Sequence, residues 1–299
     1  MEKTALILDT DIGSDIDDAV ALAYLLRQER CDLLGVTTVS GEPDKRASLV
    51  SAVLAVAGRE DIPVHVGAPC PLIVSQHQGE APQFEALAGR WAHRSYDAQH
   101  TAVEFLRKTI RSHPGEVTLL AIGPLTNVGL LFKIDPEIPT LLREMVIMGG
   151  QFFAGQPTPE SKGEWNIRCD PHAAQIVFDA PVTRLTAIGL DVTMQCVLPA
   201  DECRKRFNAA GGPLAPVASM AEVWFRHGGG ITFHDPLAAA WLFEPKICQM
   251  LCGQIRVDLA SPEQSAITLF EPSETGIHHA AASVDPAAFF EHYFEITGG

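Results

Sequence analysis

The sequence predicts an α/β fold in a single domain, an open and mostly parallel sheet flanked by helices, with the functional site at the carboxyl ends of the strands. Three observations carry that expectation. Short apolar runs rich in β-formers alternate with longer amphipathic stretches. Acidic or glycine residues directly follow several of those runs, which is where open parallel sheets hold ligands. No internal repeat, low-complexity tract or flexible linker interrupts the 299 residues, so 1–299 reads as one unit.

The elements follow in order. Residues 4–8 read as a first buried strand and 17–30 as a helix, apolar at Val20, Ala23, Tyr24 and Leu26. A strand over 33–39, a helix from about 44 to 57 and a short strand over 62–66 come next. Strands at 117–122 and 145–148 flank a helix opened by Pro124-Leu125-Thr126-Asn127. Residues 170–178 read as helix and 184–188 as strand. Beyond Leu190 the pattern loosens: 200–232 reads as helical with breaks at Gly211-Gly212-Pro213 and Gly228-Gly229-Gly230, and 235–242 as a further helix.

Composition narrows the function. A hydrophobic share of 46% and a charged share of 20% leave ample material for a core. A formal charge of −15 argues against a nucleic-acid or anionic-membrane surface, since both need clustered Lys and Arg. It fits a small substrate, or a site that concentrates cations. No stretch offers the roughly 18 uninterrupted apolar residues of a membrane helix, and the N-terminus lacks a secretory pattern. The seven cysteines are odd in number and lack CxxC spacing, which predicts reduced thiols in a cytoplasmic protein.

The loudest chemical signal is Asp9-Thr10-Asp11-Ile12-Gly13-Ser14-Asp15-Ile16-Asp17-Asp18, with five carboxylates in ten residues. Alternation along an extended segment puts Asp9 and Asp11 on one face. Asp15, Asp17 and Asp18 fall at a helix N-terminus, where the macrodipole favours negative charge. That dipole is weak compensation for so many like charges, which raise one another's pKa unless a cation neutralises them. Oxygen donors without nearby Cys or His suit Ca²⁺ or Mg²⁺ better than Zn²⁺. A cap on Ser14 or Asp15 with a solvated acidic turn is the blander reading.

Other segments are less specific alone. Asp235 before Pro236 is an ordinary N-cap, and becomes a candidate ligand, with His234 as a candidate acid, only beside a suspected metal. Gly123-Pro124-Leu125-Thr126-Asn127 reads as strand-end geometry with Thr126 capping. Glu164 and Asn166 could reach neighbouring hydroxyls from an extended segment, yet their Gly/Pro-rich surroundings read as a surface loop.

Together these blocks resemble the inosine-uridine type nucleoside hydrolases, which cleave the N-glycosidic bond of ribonucleosides with a bound Ca²⁺. Six blocks occur in family order over nearly the whole chain: Asp9-Thr10-Asp11 with Asp17-Asp18-Ala19; Gly123 to Asn127; Met148-Gly149-Gly150; Glu164-Trp165-Asn166 with Asp170-Pro171; Leu190-Asp191-Val192-Thr193; and His234-Asp235. The resemblance implies that Asp11, Asp18 and Asp235 ligate Ca²⁺ with the backbone carbonyl of Ile122. It implies that Asp17 binds the ribose 2′-hydroxyl, that Glu164 and Asn166 hold the 5′- and 3′-hydroxyls, and that Met148 lies on the substrate side. Asp11 would act as general base and His234 would protonate the leaving base. A homodimer or homotetramer is implied as well.

Four departures from the family pattern stand out. Ser14-Asp15-Ile16 replace the single residue that usually separates the motif glycine from the Asp pair, which leaves Asp15 as an alternative to Asp17 or Asp18. Glu42 replaces an Asn expected to touch ribose, exchanging a donor and acceptor for an acceptor alone. The usual His-Gly-rich loop becomes Gln76-His77-Gln78-Gly79-Glu80, with His77 still placed to approach substrate. Gln156 stands near a position where Asn is usual. Two other readings accompany the leading one: a Mg²⁺-dependent phosphohydrolase, since Asp-x-Asp after a first strand also opens those enzymes, and a nucleoside-binding homologue without turnover.

Overall fold

The computed structural model describes residues 3–153, 162–260 and 266–298. Among the described residues eleven strands are formed: β1 (Thr4–Thr10), β2 (Cys31–Thr38), β3 (Val64–Val66), β4 (Thr118–Ala121), β5 (Glu144–Met148), β6 (Leu185–Ile188), β7 (Val197–Pro199), β8 (Gly230–Thr232), β9 (Cys248–Asp258), β10 (Ile267–Pro272) and β11 (His278–Val284). Nine make one sheet in the order β10-β9-β11-β6-β5-β4-β1-β2-β3, while β7 and β8 pair separately. From β3 to β11 neighbouring strands run parallel; only β9, between β11 and β10, runs against both.

The sheet is buried on both faces, and its strands show why they read as continuous apolar runs. Leu6, Leu8, Leu120, Ile122, Val146 and Met148 pack into one core layer. Their alternates Ile7, Leu119, Ala121, Met145 and Ile147 pack into the other. The chain winds from β1 outward through β2 and β3, then returns to β4 on the other side of β1. The crevice between the carboxyl ends of β1 and β4 is therefore the switch point where ligands bind in such sheets.

Two aromatic layers brace that crevice. Helix Asp17–Arg27 leans on the C-terminal helix Pro286–Thr297, where the Tyr24 and Tyr293 rings stack at 5.6 Å and the Tyr293 hydroxyl donates to the Val20 carbonyl at 3.0 Å. Phe233 packs edge-on against Phe290 at 5.2 Å and Tyr293 at 5.5 Å, which fixes the start of helix His234–Trp241.

The expected elements are present with shifted ends. The first helix stops at Arg27 because Gln28 is extended, and the second starts at Pro43, a residue suited to the first helical position. The expected helical span 200–232 is helices Ala200–Ala210 and Leu214–Trp224, but its end forms β8 rather than helix. Among the described residues no helix is long and apolar enough to cross a membrane, and all seven cysteines are free thiols.

Candidate active site

A cavity of about 890 Å³ opens at the carboxyl ends of β1, β4 and β5. Its floor is the acidic segment. β1 ends at Thr10, and the chain turns through Gly13, whose φ of +120° is a conformation that disfavours any side chain. Asp17 and Asp18 then occupy the first turn of helix Asp17–Arg27, where exposed backbone N–H groups favour negative charge. The Thr10 hydroxyl donates to Asp18 Oδ1 at 2.5 Å and the Asp11 N–H donates to the same oxygen at 3.2 Å. The Asp235 N–H donates to Asp17 Oδ2 at 3.1 Å, which ties the start of helix His234–Trp241 to this floor.

Carboxylate oxygens of Asp17, Asp18 and Asp235 lie within 4.8 Å of one another, and all three residues are buried. Burial, followed by repulsion from neighbouring carboxylates that include Asp11 and Asp15, raises all three well above the usual carboxylate range. Burial also lifts Asp15 to about 6. Asp11 is raised by burial too, opposed by the Arg46 charge and by the Gln78 amide, which donates to Asp11 Oδ2. A buried set of oxygen donors with unrelieved repulsion fits a hard divalent cation.

Asp9 and Asp11 part company because the strand ends between them. Asp9 is fully buried and accepts from the Thr37 hydroxyl and from Asn127 Nδ2 at 2.7 Å, away from the cavity, whereas Asp11 lines it. The expected common face is thus replaced by a split. Asn127 also accepts from the Ala68 N–H at 2.9 Å and donates to the Thr38 carbonyl at 3.0 Å, so it ties three strand ends together.

Glu164, Trp165 and Asn166 form part of the wall. The surface-loop reading of this stretch fails: Glu164 is 3% and Asn166 6% exposed. Glu164 caps helix Trp165–Cys169 by accepting from the Asn166 N–H at 2.8 Å and the Ile167 N–H at 3.1 Å. It also accepts from the Gly150 N–H at 3.1 Å, and burial lifts its carboxyl to about 7. Asn166 Nδ2 donates to the Ile122 carbonyl at 2.8 Å and the Met148 carbonyl at 3.1 Å, which joins the ends of β4 and β5.

His234 lines the same cavity as the apolar side chains of Leu190, Met194 and Trp224. Its Nδ1 lies 2.7 Å from the Thr193 hydroxyl, and burial lowers the imidazole pKa to about 4. His77 is exposed at the mouth, on the loop that also brings Gln78, Gly79 and Glu80 to the cavity.

The structure therefore brings Asp11, Asp15, Asp17, Asp18, His77, Ile122, Met148, Glu164, Asn166, His234 and Asp235 to one cavity. The compact carboxylate group holds Asp17, expected on the sugar, beside Asp18 and Asp235; Asp11 joins them through its N–H on Asp18. Glu42, expected to touch substrate, does not line the cavity. Its backbone is left-handed at φ 54°, which turns the carboxylate towards Lys45 Nζ and the Ala81 N–H. Gln156 lies outside the described residues.

Residue-by-residue reading missed Gln78 and Arg46. Gln78 is buried and joins Asp11 to the Trp165 indole, which donates to its Oε1. Nothing in its surroundings signals burial. Arg46 carries a legible signal: it shares a helical stripe with Leu49, Val50 and Val53, so a charged side chain lies on the core face.

Comparison with known proteins agrees with this geometry. The profile described as inosine-uridine preferring nucleoside hydrolase matches residues 6–291. A pyrimidine-specific ribonucleoside hydrolase RihA from Citrobacter koseri is 36% identical over 259 residues, 81% of this chain and 80% of that protein. A pyrimidine-specific ribonucleoside hydrolase RihB from Escherichia coli is 33% identical over 278 residues, 87% of this chain and 85% of that one. The plant nucleoside hydrolase PpNRh1 superposes with a TM-score of 0.85 at 24% identity, covering 98% of both chains. A purine-preferring ribonucleoside hydrolase from Gardnerella vaginalis gives 0.82 at 24% identity, covering 99% of this chain and 98% of that one. With the profile spanning almost every element that builds the cavity, the chain belongs to the inosine-uridine preferring nucleoside hydrolase family.

Proposed function

We propose that the protein hydrolyses the N-glycosidic bond of ribonucleosides, releasing ribose and free base, with Ca²⁺ as the resident cation. The observation that carries this reading is the buried carboxylate group facing Glu164 and Asn166 across one cavity. Asp11, Asp18 and Asp235 would hold the cation with the Ile122 carbonyl, which has a lone pair free beyond the one Asn166 uses. Asp15 is the alternative acid at this floor. When bound, the cation supplies Lewis acidity that lowers the pKa of water.

The chain's own groups perform the rest. Asp11, oriented by Gln78, accepts the proton of the attacking water at its carboxylate. Asp17 holds the ribose 2′-hydroxyl, while Glu164 and Asn166 take the 5′- and 3′-hydroxyls and fix C1′ for attack. The surrounding carboxylates stabilise the positive charge that develops on the sugar. His234 is neutral at pH 7 because burial depresses its pKa. In the tautomer in which Nδ1 accepts from the Thr193 hydroxyl, the ring N–H lies on Nε2, from which it would donate a hydrogen bond to the leaving base. Leu190, Met194 and Trp224 supply an apolar wall suited to a flat base. His77 and Met148 complete the substrate side, and Gln156 is carried as a further contact. A soluble homodimer or homotetramer acting on free nucleosides in the cytoplasm is the accompanying reading.

The test incubates Ca²⁺-loaded protein with purine and pyrimidine nucleosides and measures ribose and base together, with a phosphate ester in parallel. Equal release of ribose and base is expected, and Asp18→Asn should reduce it by at least a hundredfold while weakening Ca²⁺ retention. Phosphate release without ribose, or nucleoside binding without products, would overturn the reading.

A further inference from the structure

We propose that Arg46 is the positioning residue of this site, locking the acidic floor and the Gln78–Glu80 flap into one rigid unit; the catalytic consequence rests on the hydrolase reading above. Arg46 lies in helix Pro43–Val56 and is 0% exposed. Its guanidinium Nε donates to the Gly41 carbonyl at 2.8 Å. Nη1 donates to the Asp11 carbonyl and to the Ile12 carbonyl at 3.1 Å. Nη2 donates to Ser14 Oγ and to the Glu80 carbonyl, both at 3.0 Å. A guanidinium has five N–H donors in a fixed planar fork, and here each finds an acceptor.

Every one of those acceptors is neutral, and four are main-chain carbonyls. A fully buried cation normally needs an ion-pair partner. This one takes four main-chain carbonyls and one hydroxyl as its direct partners, while the charges of Asp11, Asp18 and Glu42 favour its ionised form. The acceptors come from three separate places: the loop after β1, the turn after β2, and the flap over the cavity. No smaller or more flexible side chain can span all three at fixed angles.

Neighbouring contacts make the unit tight. Ser14 Oγ, which accepts from Arg46, donates to the Glu80 carbonyl at 3.1 Å. The Gln83 N–H donates to the Gly13 carbonyl at 3.1 Å, and the Gly41 N–H to the Gln78 carbonyl at 3.1 Å. A Cβ on Gly13 would meet Leu49 Cδ1 at 2.6 Å, so the acidic loop already lies flat on the helix that carries Arg46. Ser14 belongs to the extra residues that lengthen this loop relative to the family pattern. Its hydrogen bond to the fork gives the longer loop a fixed course. Through Gln78, the same unit sets the Asp11 carboxylate.

Arg46→Lys tests the assignment, because it keeps the charge and loses the fork. Amide hydrogen exchange should rise at least tenfold in 11–14 and in 78–83 together, with helix Ala102–Ser112 unchanged. Titration with Ca²⁺ alone should show at least tenfold weaker binding, and nucleoside turnover should lose at least tenfold in kcat with KM moved less than threefold. Ser14→Ala should shift exchange in the same direction by a smaller factor, and it reads the network if Arg46→Lys fails to fold. Val53→Ala, a core substitution on the same helix, should lower Tm yet leave exchange in both segments and Ca²⁺ affinity within twofold. Unchanged exchange in either segment of folded Arg46→Lys, or Ca²⁺ affinity and kcat within twofold of an active wild type, overturns the inference. A wild type that neither binds Ca²⁺ nor releases ribose refutes the hydrolase reading instead, and exchange alone then decides the role of Arg46.

Discussion

Stripping divalent cations should make stability fall as pH rises, and Ca²⁺ should offset part of that fall. Burial lifts Glu164 from 4.5 to about 7 and Asp9 from 3.8 to about 7, and holds Asp17, Asp18 and Asp235 well above their ordinary value. A carboxyl with a higher pKa folded than unfolded holds its proton more tightly in the native state. Its stabilisation is complete below the unfolded value near 4 and is lost as pH climbs through the folded value near 7. Shifts of that size correspond to about 3 kcal/mol for Glu164 and about 4 kcal/mol for Asp9. Part of each is already lost below pH 5, so between pH 5 and pH 8 these two groups together account for about 5 kcal/mol. For a chain of this length that is a drop in Tm on the order of 10 °C. A cation that binds only deprotonated carboxylates gains affinity over the same range. Thermal unfolding followed by circular dichroism at pH 5, 6, 7 and 8, in chelator and in saturating Ca²⁺, measures both trends. Ca²⁺ should add little at pH 5 and its largest increment at pH 8. A chelated protein whose Tm is flat or rising from pH 5 to pH 8, or an equal Ca²⁺ increment at both ends, would refute the reasoning.

Two further substitutions probe the frame of the site. Gly123→Ala would place a Cβ 2.7 Å from Asp11 Oδ1, 2.9 Å from the Asp11 nitrogen and 3.0 Å from Val39 Cγ1. It should displace the carboxylate, lowering kcat at least tenfold, with about 1–3 kcal/mol of destabilisation in urea unfolding. Phe233→Ala removes a fully buried ring from the aromatic layer behind His234 and should cost about 3–5 kcal/mol, read from the urea midpoint.

The parallel half of the fold was legible because both faces of its strands are buried, so β1, β2, β4, β5 and β6 stand out as short apolar runs between amphipathic helices. The C-terminal strands were not. β9 mixes buried, partly buried and exposed positions without a clean period of two, and its pairing with β10 and β11 depends on long-range contacts. The acids at strand ends were legible as a cluster, since so many like charges need compensation. Their individual placements were less so. Asp9 and Asp11 diverge where the strand stops, and Glu42 turns away through a left-handed backbone that no propensity of glutamate announces. Glu164 was disguised by its Gly/Pro-rich surroundings, although its carboxylate is what starts the next helix.

The hydrogen bond between Asp17 and the Asp235 backbone spans 218 residues of chain. During synthesis the first helix can present Asp17 and Asp18 long before the third carboxylate exists. At ribosomal elongation speeds that interval is on the order of 10–40 s. A nascent chain in that interval carries an incomplete carboxylate group, and β1 waits for β4 to cover its second edge. On the proposed reading, cation capture would therefore be a late event that reports a chain folded through helix His234–Trp241. A product cut short before Asp235 would retain the repulsion of the early carboxylates without the partner that completes their cage.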